Sequence, residues 1–313
     1  MAGAGHLFHD LDHVVIDDGR IYRVLGNLDS NTHFLGYNVY MPSEDGDRVY
    51  RGRTYKKRFI EDEDLPADVL DTYELIPIEK VIDHLDPIQS AKTMCGTFEG
   101  TVWFDLYVEL CEVFGDDSVG IFGSSMFGLH LTPEGKVRKD VDFVLEGVEN
   151  IPTLRQTLPE IRKRLGFTEV SPARQLRQHE RYARVFRNRK NSIREIIERR
   201  WTSLQLSPEV VTTIRLRDPG SVTPLALIKP EPEALNFIIS GQVSGADSSN
   251  MFPRTFQLAT ESGVVDVLLM WWKFSTPVRE GDRVTVCGSL LSTDSRPCVR
   301  LTNFVDHWLK IEE

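Results

Sequence analysis

Two aspartates one residue apart, Asp140 and Asp142, and a Gly-Ser pair upstream, Gly123–Ser124, are the residues whose types and spacing point to chemistry. Both lie in the run VGIFGSSMFGLHLTPEGKVRKDVDFVLEG, which reads as a strand, a Gly-Ser turn opening a helix, a polar loop and a second strand. Side chains alternate along a strand, so Asp140 and Asp142 share one face while Val141 and Phe143 serve the core. Two like charges on one face are costly unless a cation neutralises them. A hard divalent ion with oxygen ligands does this, and Mg²⁺ carrying substrate phosphates is the commonest case. Gly123 lets the backbone approach a phosphate. Ser124 adds a hydroxyl donor, with Ser125 beside it, and the start of the following helix offers N–H groups to the same anion. Arg138 and Lys139 stand just before the first carboxylate, either facing a triphosphate or simply solvated.

A Gly-Ser turn followed by an Asp-x-Asp strand resembles the signature of the DNA polymerase β-type nucleotidyltransferase superfamily. The resemblance implies nucleotide binding at Gly123 and Ser124 and metal binding at Asp140 and Asp142. It further implies two Mg²⁺ ions, a nucleoside triphosphate such as ATP as substrate, and transfer of the nucleoside monophosphate to an acceptor with release of pyrophosphate. The acceptor is left open between nucleic acid, protein and small molecule. More closely, GSSMFGLHL…DVDFVLEG is similar to a group of uncharacterised archaeal nucleotidyltransferase-like proteins. In these a Gly-Leu-His also follows the Gly-Ser, and a barrel-like region follows the catalytic domain. The chain departs from the superfamily pattern in two ways. The spacing from Ser124 to Asp140 is long. The strand VVTTIRLRDP also carries Thr213 or Arg215 where a third acid is expected, which leaves Asp218 and Glu169 as candidates for it. The alternative reading is a non-catalytic nucleotide- or RNA-binding protein on a degenerate form of the same fold; a purely structural adaptor is a third.

The elements around this unit predict an α+β protein: a nucleotidyltransferase-fold mixed sheet with flanking helices over 96–222, a β-rich region over 1–95, a proline-rich linker over 223–236 and an OB-like β-barrel over 237–313. In the first region VVIDDGRIYRVLG, THFLGYNVYMP and RVYRGRTYKKRF read as strands, and PIEKVIDHLD as a short helix. No catalytic signature stands out there, and the region is either structural or substrate-facing. GTVWFDLYVELCEVFG and IPTLRQTLPEIRKRLG have helical spacing. Beyond the linker, NFIISGQVSG, RTFQLATE, VVDVLLMWWKF, DRVTVCGSLL and CVRLTNFVDHWL read as five strands of a small barrel.

Composition is that of an ordinary globular protein, with 41% hydrophobic and 27% charged residues. There is no long apolar run, no basic leader and no paired cysteine motif, so a cytoplasmic protein without membrane, zinc or disulfide is expected. The net charge of −10 argues against non-specific nucleic-acid binding by the whole surface. Between Arg174 and Arg200, however, ten Lys/Arg face three Glu. This helical, basic segment is where RNA or single-stranded nucleic acid could land, unless it pairs internally with the acidic remainder. At its end, Arg199 and Arg200 beside Trp201 could hold phosphate and base, although Trp201 suits a core equally. His130 either contacts a nucleotide or caps its helix. Trp271, Trp272, Lys273 and Phe274 place aromatics on both faces of one barrel strand, for stacking bases or for domain packing.

Overall fold

The computed structural model describes residues 8–58, 66–128, 140–183, 197, 199–228, 231–246, 250–271, 278–293 and 296–312. The chain is a mixed α+β structure with few helices and a closed five-stranded barrel in its C-terminal region. Among the described residues no helix is long and apolar enough to cross a membrane.

The N-terminal residues form one sheet from β1 (His13–Ile16), β2 (Ile21–Val24), β3 (His33–Pro42), β4 (Arg48–Tyr50), β5 (Arg53–Lys57), β6 (Glu74–Pro77) and β7 (Val81–Leu85). Its order is β4-β5-β3-β2-β1-β7, with β6 paired to β3. The turn at Asp18-Gly19 joins β1 to β2 as expected, and Gly19 has φ +89. Both faces are covered. Val14, Ile16, Tyr22, Val24 and Phe34 pack in one cluster, while Val15, Ile21, Leu35 and Tyr37 join the main core. The helix expected over PIEKVIDHLD does not form. Its apolar residues suit either period, but β7 pairs antiparallel with β1 (His13 opposite Leu85), which leaves Ile82 exposed. Backbone pairing with a neighbouring strand overrides the helical spacing.

The central part contains α1 (Pro87–Met94), α2 (Val102–Phe114), β8 (Val119–Phe122), β9 (Asp142–Glu146), α3 (Ile151–Arg164), α4 (Pro172–Ala183), β10 (Ser203–Ser207) and β11 (Val210–Arg217). The sheet order is β10-β11-β9-β8, with β9 and β11 parallel and the outer pairs antiparallel. Helix α2 buries Trp103, Leu106, Tyr107 and Leu110 and ends at Gly115, in line with its spacing. Helix α1 lies so close to β8 that a Cβ on Gly120 would come within 2.7 Å of the Pro87 backbone, so only glycine admits the packing. Of the helix expected from Ser125 onward, the described residues form one 3₁₀ turn, Gly123–Phe127, capped by Gly128 in the left-handed conformation at φ +69; the rest lies outside the described residues. Strand β10 was not legible in the sequence; its short SLQLS run lacks a turn signal before it.

In the C-terminal region β12 (Ala234–Ser244), β13 (Arg254–Thr260), β14 (Gly263–Leu269), β15 (Arg283–Leu291) and β16 (Cys298–Leu301) close a ring in the order β12-β13-β14-β16-β15-β12. A sixth strand, β17 (Trp308–Glu312), pairs with β15, so CVRLTNFVDHWL is two strands rather than one. The proline-rich stretch before the barrel is held on both sides. Thr223 bridges to Leu28, and Arg300 donates to the carbonyls of Leu227 and Ile228.

One buried side chain ties the first two regions together. Arg217, at the end of β11, bonds Asp12 (2.8 Å), the α1 cap residue Asp86 (2.7 Å) and Glu146 of β9 (2.7 Å). Burial disfavours its charge, but the three carboxylates outweigh that and raise its pKa.

Candidate functional site

The Gly-Ser turn and the acidic pair are brought together by strand pairing. Strands β8 and β9 are antiparallel with Phe122 opposite Asp142, so Gly123, the next residue, stands beside the acidic entry to β9. Val141, Phe143, Val144 and Leu145 are buried, and Asp142 opens the strand half-buried. Asp140 precedes the strand by two residues, and its charge reaches Asp142. The Asp142 carboxyl is pushed up to about 6, first by burial and then by Asp140, against the opposing pull of Arg215, the Thr213 N–H and Lys57.

The turn itself is open. Gly123 has φ +70, and nothing lies within 4 Å of where a Cβ would stand. Ser124 is half-buried and hydrogen-bonded to Tyr40. Ser125, expected beside Ser124 at the phosphate, is buried. A single 3₁₀ turn also replaces the helix whose N–H groups were expected to serve the anion. Lys139, Arg138, His130 and Trp272–Phe274 lie outside the described residues. Trp271 is buried and stacked on Phe304 (6.3 Å), a core residue of the barrel.

Strand β11 supplies no third acid. It runs parallel to β9 with Ile214 beside Phe143, and the Thr213 N–H donates to Asp142 Oδ1 (2.9 Å). Alternation therefore continues the Asp142 face through Thr213, Arg215 and Arg217. Glu169 is largely exposed and paired with Arg162, and Asp218 accepts from the Gly220 N–H beyond the strand. Among the described residues no group of three or more His, Cys, Asp or Glu could hold a metal. Asp140 and Asp142, two hard oxygen donors crowded by their own repulsion, fit one divalent ion completed by phosphate oxygens.

The N-terminal sheet packs beside the site, a role that no motif in it announced. Arg23 lies 5.0 Å over the Phe122 ring, the residue just before the turn. His13 packs against Phe122 and Phe127, and burial followed by the Arg23 charge holds it down to about 3, so it is neutral. Tyr40, pushed up to about 12 mainly by burial, contacts Ser124; Lys57, opposite it on β5, acts on Asp142. The available signal was a charged residue between apolar neighbours, Arg23 in IYRV.

Arg199 and Arg200 line a cleft on the β11 side of Asp142 whose lining includes Thr213 and Arg215 but neither Gly123 nor Ser124. Arg199 also bonds Asp282 of the barrel (2.6 Å). Trp201 is half-buried between the Arg155 guanidinium, 5.2 Å from its ring, and Asn250. Of the basic segment, α4 carries Arg174 near Glu209 and Arg177 on the Pro208 carbonyl. Comparison of the chain with protein-family models, with curated proteins and with solved structures returns no match.

Proposed function

We propose that the protein is a Mg²⁺-dependent nucleotidyltransferase that moves a nucleoside monophosphate from a nucleoside triphosphate to an acceptor. The observation that carries this reading is the pairing of β8 with β9, which sets the open Gly123–Ser124 turn beside two mutually repelling carboxylates. Asp140 and Asp142 would hold the metal, which when bound neutralises charge on the phosphates. Gly123 leaves room for a phosphate against the backbone, and the Ser124 hydroxyl beside it is held by Tyr40. The Thr213 N–H fixes one oxygen of Asp142 and leaves the other for the ion. The acceptor oxygen, its proton passing to solvent where it carries one, bonds to the α-phosphorus as the bond to the bridging oxygen breaks and pyrophosphate leaves. The C-terminal barrel, whose first strand pairs with the second and fourth and whose third and fifth run parallel, is proposed to be of the OB type.

A second reading, a nucleotide-binding protein without turnover, is favoured by Thr213 and Arg215 standing on β11 where the superfamily places its third acid. Pyrophosphate release separates the two. With each of the four nucleoside triphosphates, Mg²⁺ and a pool of candidate acceptors, the first reading expects release that disappears in Asp142→Asn. Tight nucleotide binding with no release under any condition establishes the second.

A further inference from the structure

One face of the N-terminal sheet meets the Gly123–Ser124 turn. Tyr40, on β3, is hydrogen-bonded to Ser124 and lies 6.1 Å from the ring of Phe127, the last residue of that turn. Tyr50, on β4, meets the same ring at 5.1 Å. The register of β3 with β5 sets Lys57 directly opposite Tyr40. Residues so opposed point to one face, with Cβ atoms about 5 Å apart, so Lys57 stands beside the tyrosine that holds Ser124. The neighbours agree. Tyr55, two residues earlier on β5, is buried, whereas Met41 and Lys56, the adjacent opposed pair, are exposed on the outer face. Arg48, opposite Tyr55 on β4, lies over the Tyr40 ring at 5.9 Å.

Lys57 is half-buried there, and its charge acts inward. It is felt by Asp142 and by His13, which packs on Phe122 and Phe127 at either end of the turn. A cation turned from solvent towards an acidic pair and an open Gly-Ser turn has two uses: it offsets the carboxylates, or it meets an anion that the turn admits. Of the groups that favour ionised Asp142, Lys57 acts most weakly, after Arg215 and the Thr213 N–H. A divalent ion on the carboxylates takes over that offset, and phosphates arrive with the ion. The ammonium is a compact charge with three donors on a flexible stem, so it can follow a phosphate oxygen whose place the turn sets.

We propose that Lys57 binds a phosphate of the nucleotide's tail, beyond the reacting one, so that the N-terminal sheet is part of the nucleotide site and selects a ligand with two or more phosphates. The proposal rests on the nucleotidyltransferase reading of the Gly123–Ser124 turn. The full chain is titrated in Mg²⁺ with α,β-methylene ATP and with AMP, or with the same analogues of whichever base pyrophosphate release selects. Lys57→Gln is expected to bind the triphosphate roughly tenfold or more weakly, as loss of a charge-assisted bond requires, and AMP within about twofold of wild type. Retained AMP affinity reports an intact turn. Lys57→Met repeats the result should the glutamine variant fold poorly, and Lys57→Arg keeps most of the triphosphate affinity. Lys56→Gln, on the outer face, binds both ligands as the wild type does. Wild-type triphosphate affinity in the Lys57 variants overturns the proposal. So does an equal loss of AMP and triphosphate, which makes Lys57 a support of the turn, or an equal loss in Lys56→Gln, which makes the effect one of net charge. Asp142→Asn separates the proposal from the reading beneath it. Loss of the triphosphate in Asp142→Asn with wild-type binding by the Lys57 variants defeats the lysine contact alone. Triphosphate binding indifferent to Asp142, with the Lys57 results intact, defeats the metal reading and leaves the contact standing. A wild-type protein that binds no nucleotide defeats both.

Discussion

Asp142 has opposite surroundings on its two sides. Towards β8 it meets Asp140 and an open Gly-Ser turn, and its carboxyl is held above the usual range by burial and by like charge. Towards β11 lies a cleft in which burial and like charge hold Arg23 and Arg254 below the usual arginine range. Arg217, two residues beyond Arg215 on the same strand, shows the contrasting use of the same side chain. It is surrounded by Asp12, Asp86 and Glu146, and their charge outweighs its burial. The three carboxylates around Arg217 hold the first two regions together.

The largest effect that would break this comparison is on turnover. Asp142→Asn is expected to cut nucleotidyl transfer by roughly a thousandfold or more, the scale of losing preorganised charge at a phosphoryl centre. Its melting temperature should stay the same or rise. Activity within tenfold of wild type would separate the acidic side from the chemistry.

Next comes Arg217→Met, which leaves three carboxylates around a neutral side chain. Breaking a buried ionic cluster by removing one partner costs about 3–5 kcal/mol, and equilibrium denaturation measures it. A loss near zero would show that the Arg217 cluster does not hold the two regions together.

A smaller effect sharpens the acidic side. In EDTA the raised Asp142 pKa makes the ionised form unfavourable in the folded protein. Stability from this group is therefore greatest below the ordinary carboxylate pKa and falls as pH rises through about 6. Comparing wild type with Asp142→Asn across pH 4 to 8 should show that component flattened in the variant, and identical profiles would remove the repulsion from the account.

The smallest concerns His84, bonded to Asp12 at 2.8 Å on the rim of the Arg217 cluster. Burial lowers its pKa, but the Asp12 hydrogen bond and charge raise it further than that, for a net upward shift. Its contribution is full below the unfolded histidine pKa and is lost as pH rises through the raised folded one. His84→Gln should cost within about 1 kcal/mol at pH 6 and less at pH 8, since the pair is partly solvated. A larger cost at pH 8 than at pH 6 would reverse the sign of the account.

The two sides of Asp142 were not equally legible in the sequence. Gly123, Ser124, Asp140 and Asp142 fall within one short run, and local strand pairing is enough to bring them together. The cleft joins Asp10 and Arg23 to Arg215 and Arg254 through sheet docking, which no local pattern encodes. Arg199 and Arg200 were legible as charges beside Trp201, but not their place in the cleft with Arg215. The barrel strands were readable from alternation and glycine turns, whereas β7 was mistaken for a helix because Ile78, Val81, Ile82 and Leu85 satisfy a helical spacing. Between Ser124 and Gly128 the helical period was readable, but Gly128 adopts the left-handed conformation and the described residues form a 3₁₀ turn.

The central claim is that Asp140 and Asp142 hold a divalent ion together with a nucleotide at the Gly123–Ser124 turn. Mn²⁺ binding followed by electron paramagnetic resonance, with and without a non-hydrolysable nucleoside triphosphate, measures this directly. The account predicts that free Mn²⁺ falls by one ion per chain in the presence of the nucleotide, and that Asp142→Asn abolishes the fall. A folded wild-type protein that takes up no Mn²⁺ with nucleotide, or a variant that takes up as much, would contradict it.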